Sequence, residues 1–391
     1  MDSSVWQTLY KVNHIYIWKT FSSRLFLTFG YFFILCFGSC FLSEKYEFHR
    51  DSVNWTISEN VSSGVSEKIE IPSVMAHAPS LAVLPDGRIC AVWFGGSREG
   101  GKDVKIYGAI RQNGQWSQAV SIIDREHASC MLGRYIRKLG NPVLHYQDGC
   151  LHLYFVTVSF GGWSGSTISH VCLQDDLSPI PSTVGRLRLS PLFNLSHLVR
   201  CPANEISENR VGLPIYHECI KKYGLYVILS SSGHVKGISK IPAMEESLQP
   251  CLAILGNRSA VAGMRNAKHG KIMVARTDNA GFTWEKYMPL PIKNPDSSIA
   301  MLCLPDRKYL LVGNSEKGRS QLNMWLSEPN DLTRWRVVCS LENTSGADEY
   351  SYPFLQKDQK GNIHLIYTWN RRKIAYRQFA YDVVSGTFFK P

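Results

Sequence analysis

From about Ile71 to the C-terminus the chain is a succession of short apolar runs broken by polar turns, with almost no long amphipathic helical pattern. Runs such as SLAVL, ICAVWF, VKIYGAI, CLHLYFVTV, LYVILS, KIMVAR, KYLLVG and NIHLIYTW are rich in β-branched and aromatic residues, which fit a pleated, half-buried surface. Between them stand PDGR, QDG, KHG and QKGN, where Gly, Asp, Asn and Pro supply the backbone angles of tight turns. Alternation at period two sends successive side chains to opposite faces, so each run reads as a strand. Many short strands at regular spacing predict an all-β fold, and a sandwich, a barrel or a propeller would each bury the apolar faces.

Composition narrows the partners. With 391 residues, 44% hydrophobic and 19% charged, the chain can bury a sizeable core, which excludes a disordered reading. The formal charge of +11 is scattered, and its densest run, Arg371, Arg372 and Lys373, is too short for a nucleic-acid arm. An anion-friendly surface is expected, and no nucleic-acid partner. The eleven cysteines form no CxxC pair and no Cys/His cluster at metal spacing, and no Walker loop, dinucleotide fingerprint, HExxH or EF-hand is present. Neither a metal nor any other cofactor is expected.

The N-terminal region carries a separate signal. Residues 25–43, LFLTFGYFFILCFGSCFLS, are uncharged and strongly apolar, about long enough to cross a bilayer as a helix. Lys11, Lys19 and Arg24 precede the stretch, whereas Glu44, Lys45 and Glu47 follow it, which places the N-terminus in the cytoplasm and the remainder outside it. A cleaved signal peptide competes, with Gly38, Ser39 and Cys40 as small residues near a cleavage point. The organisation expected is a tail and membrane anchor over 1–50, a stalk over 51–70, and one domain over 71–391, periplasmic, lumenal or extracellular.

Several motifs then follow in order. HAPSLAVLPDGRICAVWFGGSREGGKDVKIYGAI begins at His77, followed by GNPVLHYQDGCLHLYF, GLPIYHE, SLQPCLAI, Arg265, NPDSSIAML, KGRSQLNMWLS and EYSYPF. TDNAGFTW at 277–284 looks like an Asp-box, a hairpin closed by side-chain-to-backbone bonds over a packed Trp. RQNGQW at 111–116 and SEPNDLTRW at 327–335 are weaker echoes. In this order the motifs resemble the sialidase (neuraminidase) superfamily, in its divergent BNR-repeat-like branch. The resemblance spans about 71–391 and implies a six-bladed β-propeller.

The resemblance also implies a chemistry: exo-hydrolysis of a terminal acidic sugar, sialic acid or a related nonulosonate, from a sialylated or other acidic glycan. Asp103, five residues after Arg98, matches the acid/base position; a turn-capping Asp is the alternative. Tyr350 matches the nucleophile, with Tyr352 as an off-by-two alternative. A neutral phenol avoids the repulsion a carboxylate nucleophile would meet beside an anionic sugar. Gln249 stands where the family has the Glu that activates the Tyr, so Glu218, beside the pocket-lining Tyr216, is the substitute. Arg265 and Arg319 match two of the three arginines that clamp the substrate carboxylate. His77 replaces the third, as a weaker acid binder, a base or a core group. Trp163, Asn294 and Ser297 are further cleft candidates. A different glycosidase or polysaccharide lyase, or a non-catalytic carbohydrate-binding propeller, remains open on the same residues.

Overall fold

Six antiparallel sheets account for nearly all strands of the computed structural model, which describes residues 46–49, 65–190, 194–382 and 387–389. The sheets follow one another along the chain as blades I to VI, with inner strands Met75–Val83, Lys138–Gln147, His197–Val199 continued by Asn204–Ile206, Ser247–Ile254, Ala300–Cys303 and Tyr350–Lys357. The protein is thus an all-β, six-bladed propeller, as the motif order implied. A seven-residue helix, Arg125–Met131, capped by Asp124, links blades I and II.

The blades pack face to face through the alternating apolar residues. Trp93, Tyr154, Phe155, Phe354, Tyr367, Tyr376 and Phe379 are fully buried between sheets, each stabilising the fold by roughly 1.5–3 kcal/mol relative to exposure. Residues 277–284 form the expected hairpin. Asn279 Oδ1 accepts from the Thr283 amide at 2.9 Å, Thr277 Oγ1 accepts from the Gly281 amide at 3.0 Å, and Trp284 Nε1 donates to the Gly281 carbonyl at 3.0 Å. Gly281 has φ of 88°, and a Cβ there would stand 2.5 Å from the Tyr226 ring, so only glycine fits.

Blade VI closes the ring. Its outer strand is Val65–Ile69, paired antiparallel with Lys373–Asp382 in the register Val65↔Gln378 to Ile69↔Ile374. Part of the stretch read as a stalk is therefore blade, and the domain boundary moves from 71 back to Val65 at the latest. The signal was the alternation of VSEKI, too short to stand out from a polar linker. Further upstream, Phe48 bridges Ile206 and its amide donates to the Asn257 carbonyl. The apolar stretch 25–43 lies outside the described residues; among those described, no helix is long and apolar enough to cross a membrane.

One device recurs on the inner strands. Four of them carry a one-residue bulge, at His77/Ser80, Gly140/Val143, Leu248/Cys251 and Ser351/Phe354. Each bulge contains a residue at positive φ followed by proline: Ala78-Pro79 at 49°, Asn141-Pro142 at 42°, Gln249-Pro250 at 53° and Tyr352-Pro353 at 56°. Proline donates no hydrogen bond to the ladder and tolerates the break, while the extra residue re-aims its side chain. A non-glycine residue at such angles costs about 1–3 kcal/mol and persists only where its surroundings hold it.

Candidate active site at the bulged mouth of the channel

The bulges lie toward one mouth of the central channel, where the inner strands begin and where the turns between second and third strands return. Tyr352 is the hub. Its ring meets His77 at 4.4 Å between centroids, and the guanidiniums of Arg200 and Arg319 lie 5.2 and 5.7 Å from its centre. Neighbouring bulge residues converge on Tyr216 of blade III: Asn141 Nδ2 donates to its hydroxyl at 3.2 Å and Gln249 Nε2 reaches it at 3.5 Å.

The charges are arranged in pairs. Arg265 Nε donates to Asp296 Oδ1 at 2.6 Å. Glu349 accepts from Arg319 at 2.8 Å, from Arg371 at 2.7 Å and from the Ser351 hydroxyl at 2.7 Å, and Arg371 also reaches Glu99 at 2.9 Å. Burial alone would raise the Glu349 pKa, but the bonds from Arg371 and Ser351 overrule it and hold the carboxyl at about 2. Burial first, then the Arg371 charge, hold His77 well below its ordinary range, so its imidazole is neutral at ordinary pH. Both His77 ring nitrogens, Gln249 Oε1, Arg200 Nε and the hydroxyls of Ser297 and Ser298 are buried without a partner. Such atoms are costly unless something else binds them.

Not every expected residue takes part. The Tyr350 side chain is buried in the core between blades V and VI, against Trp369. In a regular strand Tyr350 and Tyr352 would share a face; the bulge breaks that parity and aims Tyr352 at the channel instead. Asp103 sits in the blade I turn at this mouth, exposed, accepting from the Ser97 amide at 2.6 Å and the Ser97 hydroxyl at 2.8 Å. The Ser97 hydroxyl is the first cause that lowers its pKa. In this state Asp103 caps its turn, and Arg98 beside it is exposed.

Glu218 lies just past the strand carrying Tyr216, its amide donating to Ser196 Oγ at 3.1 Å. Burial first, then the field of Tyr352 and that of Glu218, raise the Tyr216 pKa. Trp163 packs over Gly140, where a Cβ would come within 2.8 Å of its ring. Asn294 closes a turn, its amide donating to the Ser297 carbonyl at 2.9 Å and its oxygen accepting from the Ser297 amide at 3.1 Å; Ser297 is buried beside it.

Sequence reasoning missed Arg200, Glu349 and Arg371. Arg200 is 1% exposed and bridges two blades across the channel, donating to the Pro79 carbonyl at 3.1 Å, to the Pro353 carbonyl at 3.2 Å and to the Tyr352 carbonyl. It directly follows the last paired residue before the break in its inner strand, Val199 opposite Ile215, as the bulge residues do in blades I, II, IV and VI, but it is followed by Cys201 rather than by proline.

The sequence matches the BNR repeat-like domain over residues 87–365. This chain belongs to that family. No curated protein matches it. Among solved structures, this BNR repeat-like chain is similar to a Hadza microbial sialidase, with 13% identity and a TM-score of 0.60 over 78% of this chain and 66% of the other. It is similar to the NanB sialidase of Streptococcus pneumoniae, with 11% identity and a TM-score of 0.61 over 78% and 68%. A Penicillium chrysogenum α-L-arabinanase matches as well, with 12% identity and a TM-score of 0.58 over 81% and 97%. Likeness at this distance establishes the propeller, and the function has to be argued from the site itself.

Proposed function

We propose that this protein is an exo-glycosidase that removes a terminal acidic sugar, sialic acid or a related nonulosonate, at the bulged mouth of its propeller. One observation carries the reading: the Tyr352 ring stands at that mouth between the His77 ring, 4.4 Å away between centroids, and the Arg319 guanidinium, 5.7 Å from its centre. A phenol flanked by guanidiniums suits a substrate whose reacting carbon bears a carboxylate. The two sialidases similar in fold lend support.

In this proposal Tyr352 Oη attacks the anomeric carbon and His77, with both ring nitrogens unpartnered, takes the phenolic proton. Asp103 leaves Ser97, takes up a proton from solvent and passes it to the departing glycosidic oxygen; the resulting carboxylate then accepts a proton from the water that attacks the anomeric carbon, while His77 returns its proton to Tyr352 Oη as the sugar leaves. Arg265 and Arg319 orient the carboxylate, Asn141, Tyr216 and Gln249 offer hydrogen bonds to the ring substituents, and Glu349 holds Arg319 and Arg371 in place. Because His77 occupies the place of the third clamp arginine, two guanidiniums rather than three would face the acid.

A second reading has its own observation. Arg265 and Arg319 are already paired with Asp296 and Glu349, which favours another glycosidase or polysaccharide lyase whose sugar needs less cationic attraction. Turnover of a fluorogenic sialoside by the wild-type chain, compared with Asp103→Ala, separates the two. Turnover lost in the variant supports the first reading; a folded wild type that releases no fluorophore, yet degrades an uncharged or polyuronate substrate, replaces it with the second.

A further inference from the structure

Cysteine and histidine spacing along the chain gave no metal cluster, but cross-strand register builds one in blade II. Cys150 and His152 lie two apart on Cys150–Val158, and His170 and Cys172 lie two apart on Ser166–Leu173. Pairing His152↔Cys172 and Tyr154↔His170 puts all four on one face of the sheet. Local spacing could not reveal this, because the chain leaves the first strand and returns on the second before the ligand set is complete.

Ligand atoms of Cys150, His152 and Cys172 all lie within 4.8 Å of one another. His152 Nδ1 is 3.7 Å from Cys172 Sγ and 2.9 Å from His170 Nε2. Zinc bonds of about 2.3 Å to sulfur and 2.0 Å to nitrogen give a tetrahedron with edges of roughly 3.3–3.8 Å, so Cys150, His152 and Cys172 must draw together from separations of up to 4.8 Å, and His170, already beside His152, must turn to complete the set. His152 and His170 are buried, 5% and 6% exposed. His145, whose ring centre lies 6.5 Å from that of His152, is engaged by Gln147 Oε1 at 3.2 Å and stays outside the set.

We propose that Cys150, His152, His170 and Cys172 form a tetrahedral zinc site that staples the second and third strands of blade II at the end of the propeller opposite the bulged mouth. Two thiols lose their protons to solvent as the ion binds, so a dication meets two thiolates and two neutral imidazoles. The site is then electrically neutral, which suits its burial. Softness and geometry, two sulfurs and two nitrogens in a tetrahedron, select zinc over calcium or magnesium.

The test titrates the reduced full-length chain with zinc against a chromogenic chelator, then with cobalt(II) as a spectroscopic stand-in. One zinc per chain, release of two protons, a thiolate-to-cobalt charge-transfer band and a zinc-dependent rise in Tm are expected. Cys172→Ser and His152→Gln should weaken binding by about 100-fold or more, whereas Cys303→Ser, in blade V, should leave it unchanged. The proposal is overturned if the wild type binds no stoichiometric zinc, if the charge-transfer band survives in Cys172→Ser, or if mass spectrometry of the non-reduced protein finds Cys150 and Cys172 joined in a disulfide.

Discussion

The two mouths of the central channel are built from the same six blades and differ in almost everything else. At one end, bulged strands aim Tyr352, Asn141 and Gln249 inward, and arginines are held by carboxylates. At the other, tight turns such as those at Pro85, Pro305 and Lys360 surround a cavity of about 830 Å³ that also touches His145 and His364. This mouth gathers His364 and Arg111, but there the imidazole Nδ1 lies 2.8 Å from the Tyr376 hydroxyl and Arg111 is paired with Glu67, whereas both ring nitrogens of His77 at the bulged mouth are without a partner. Volume marks where a ligand would fit, whereas positioned and partly unsatisfied polar groups mark where chemistry has been prepared.

The sharpest way to break this contrast is at the bulge of blade VI. Tyr352→Phe should lower sialoside kcat by about 10²–10⁴-fold, while Tyr350→Phe, which keeps a ring packed against Trp369, should leave kcat within about threefold, a surface-sized energy change. Equal losses in the two variants would remove Tyr352 from the centre of the site.

Next in size is the acid dependence set at the same mouth. Glu349 is held at about 2 in the folded protein against an ordinary 4.5. The unfolded chain therefore binds the proton more readily, and stability present above pH 4.5 is lost as pH falls toward 2. The amount is on the order of 3 kcal/mol. Glu349→Gln should flatten that part of the profile in urea unfolding measured from pH 6 to 3, while destabilising the protein at pH 6 because Arg319 and Arg371 lose their partner.

A smaller effect probes the bulges themselves. Ala76 and Ala78 are equally buried on one strand, but only Ala78 has positive φ, at 49°. Ala76→Gly should cost about 1–2 kcal/mol, and Ala78→Gly less than about 0.5 kcal/mol, because relief of backbone strain offsets the lost methyl. Similar losses on denaturant unfolding would mean the bulge is unstrained. The smallest expectation belongs to the roomy mouth: Lys360→Ala, at its rim, should change sialoside kcat/KM by less than about twofold, and a large loss would move the active site there.

Strands, turns and the hairpin at 277–284 were legible because their signals are local: period-two alternation, turn residues, and a Trp at a fixed offset. His77, Arg265 and Arg319 were singled out through motif order; His77 and Arg319 lie against Tyr352, and Arg265 is paired with Asp296. What escaped reading depended on parity or register. One inserted residue moves Tyr352, rather than Tyr350, into the channel, and Glu349 joins arginines from two turns far apart in the chain. Arg200 was not findable from the X-Pro steps at 78–79, 141–142, 249–250 and 352–353, which mark four of the six blades, because in VRCP the residue before proline is Cys201. The Cys and His ligands of blade II became neighbours only through the pairing of two strands.

Pairing of Val65–Ile69 with Lys373–Asp382 also governs the order of events in folding. The first strand of the propeller has no hydrogen-bonding partner until some three hundred further residues have been made, so the ring stays open throughout synthesis with unpaired edges on its first and latest blades. Long-range closure of this kind is slow, and the half-made ring is when the protein is most exposed to joining another chain's edge. A truncation that removes either strand would leave the finished molecule in that same vulnerable condition permanently.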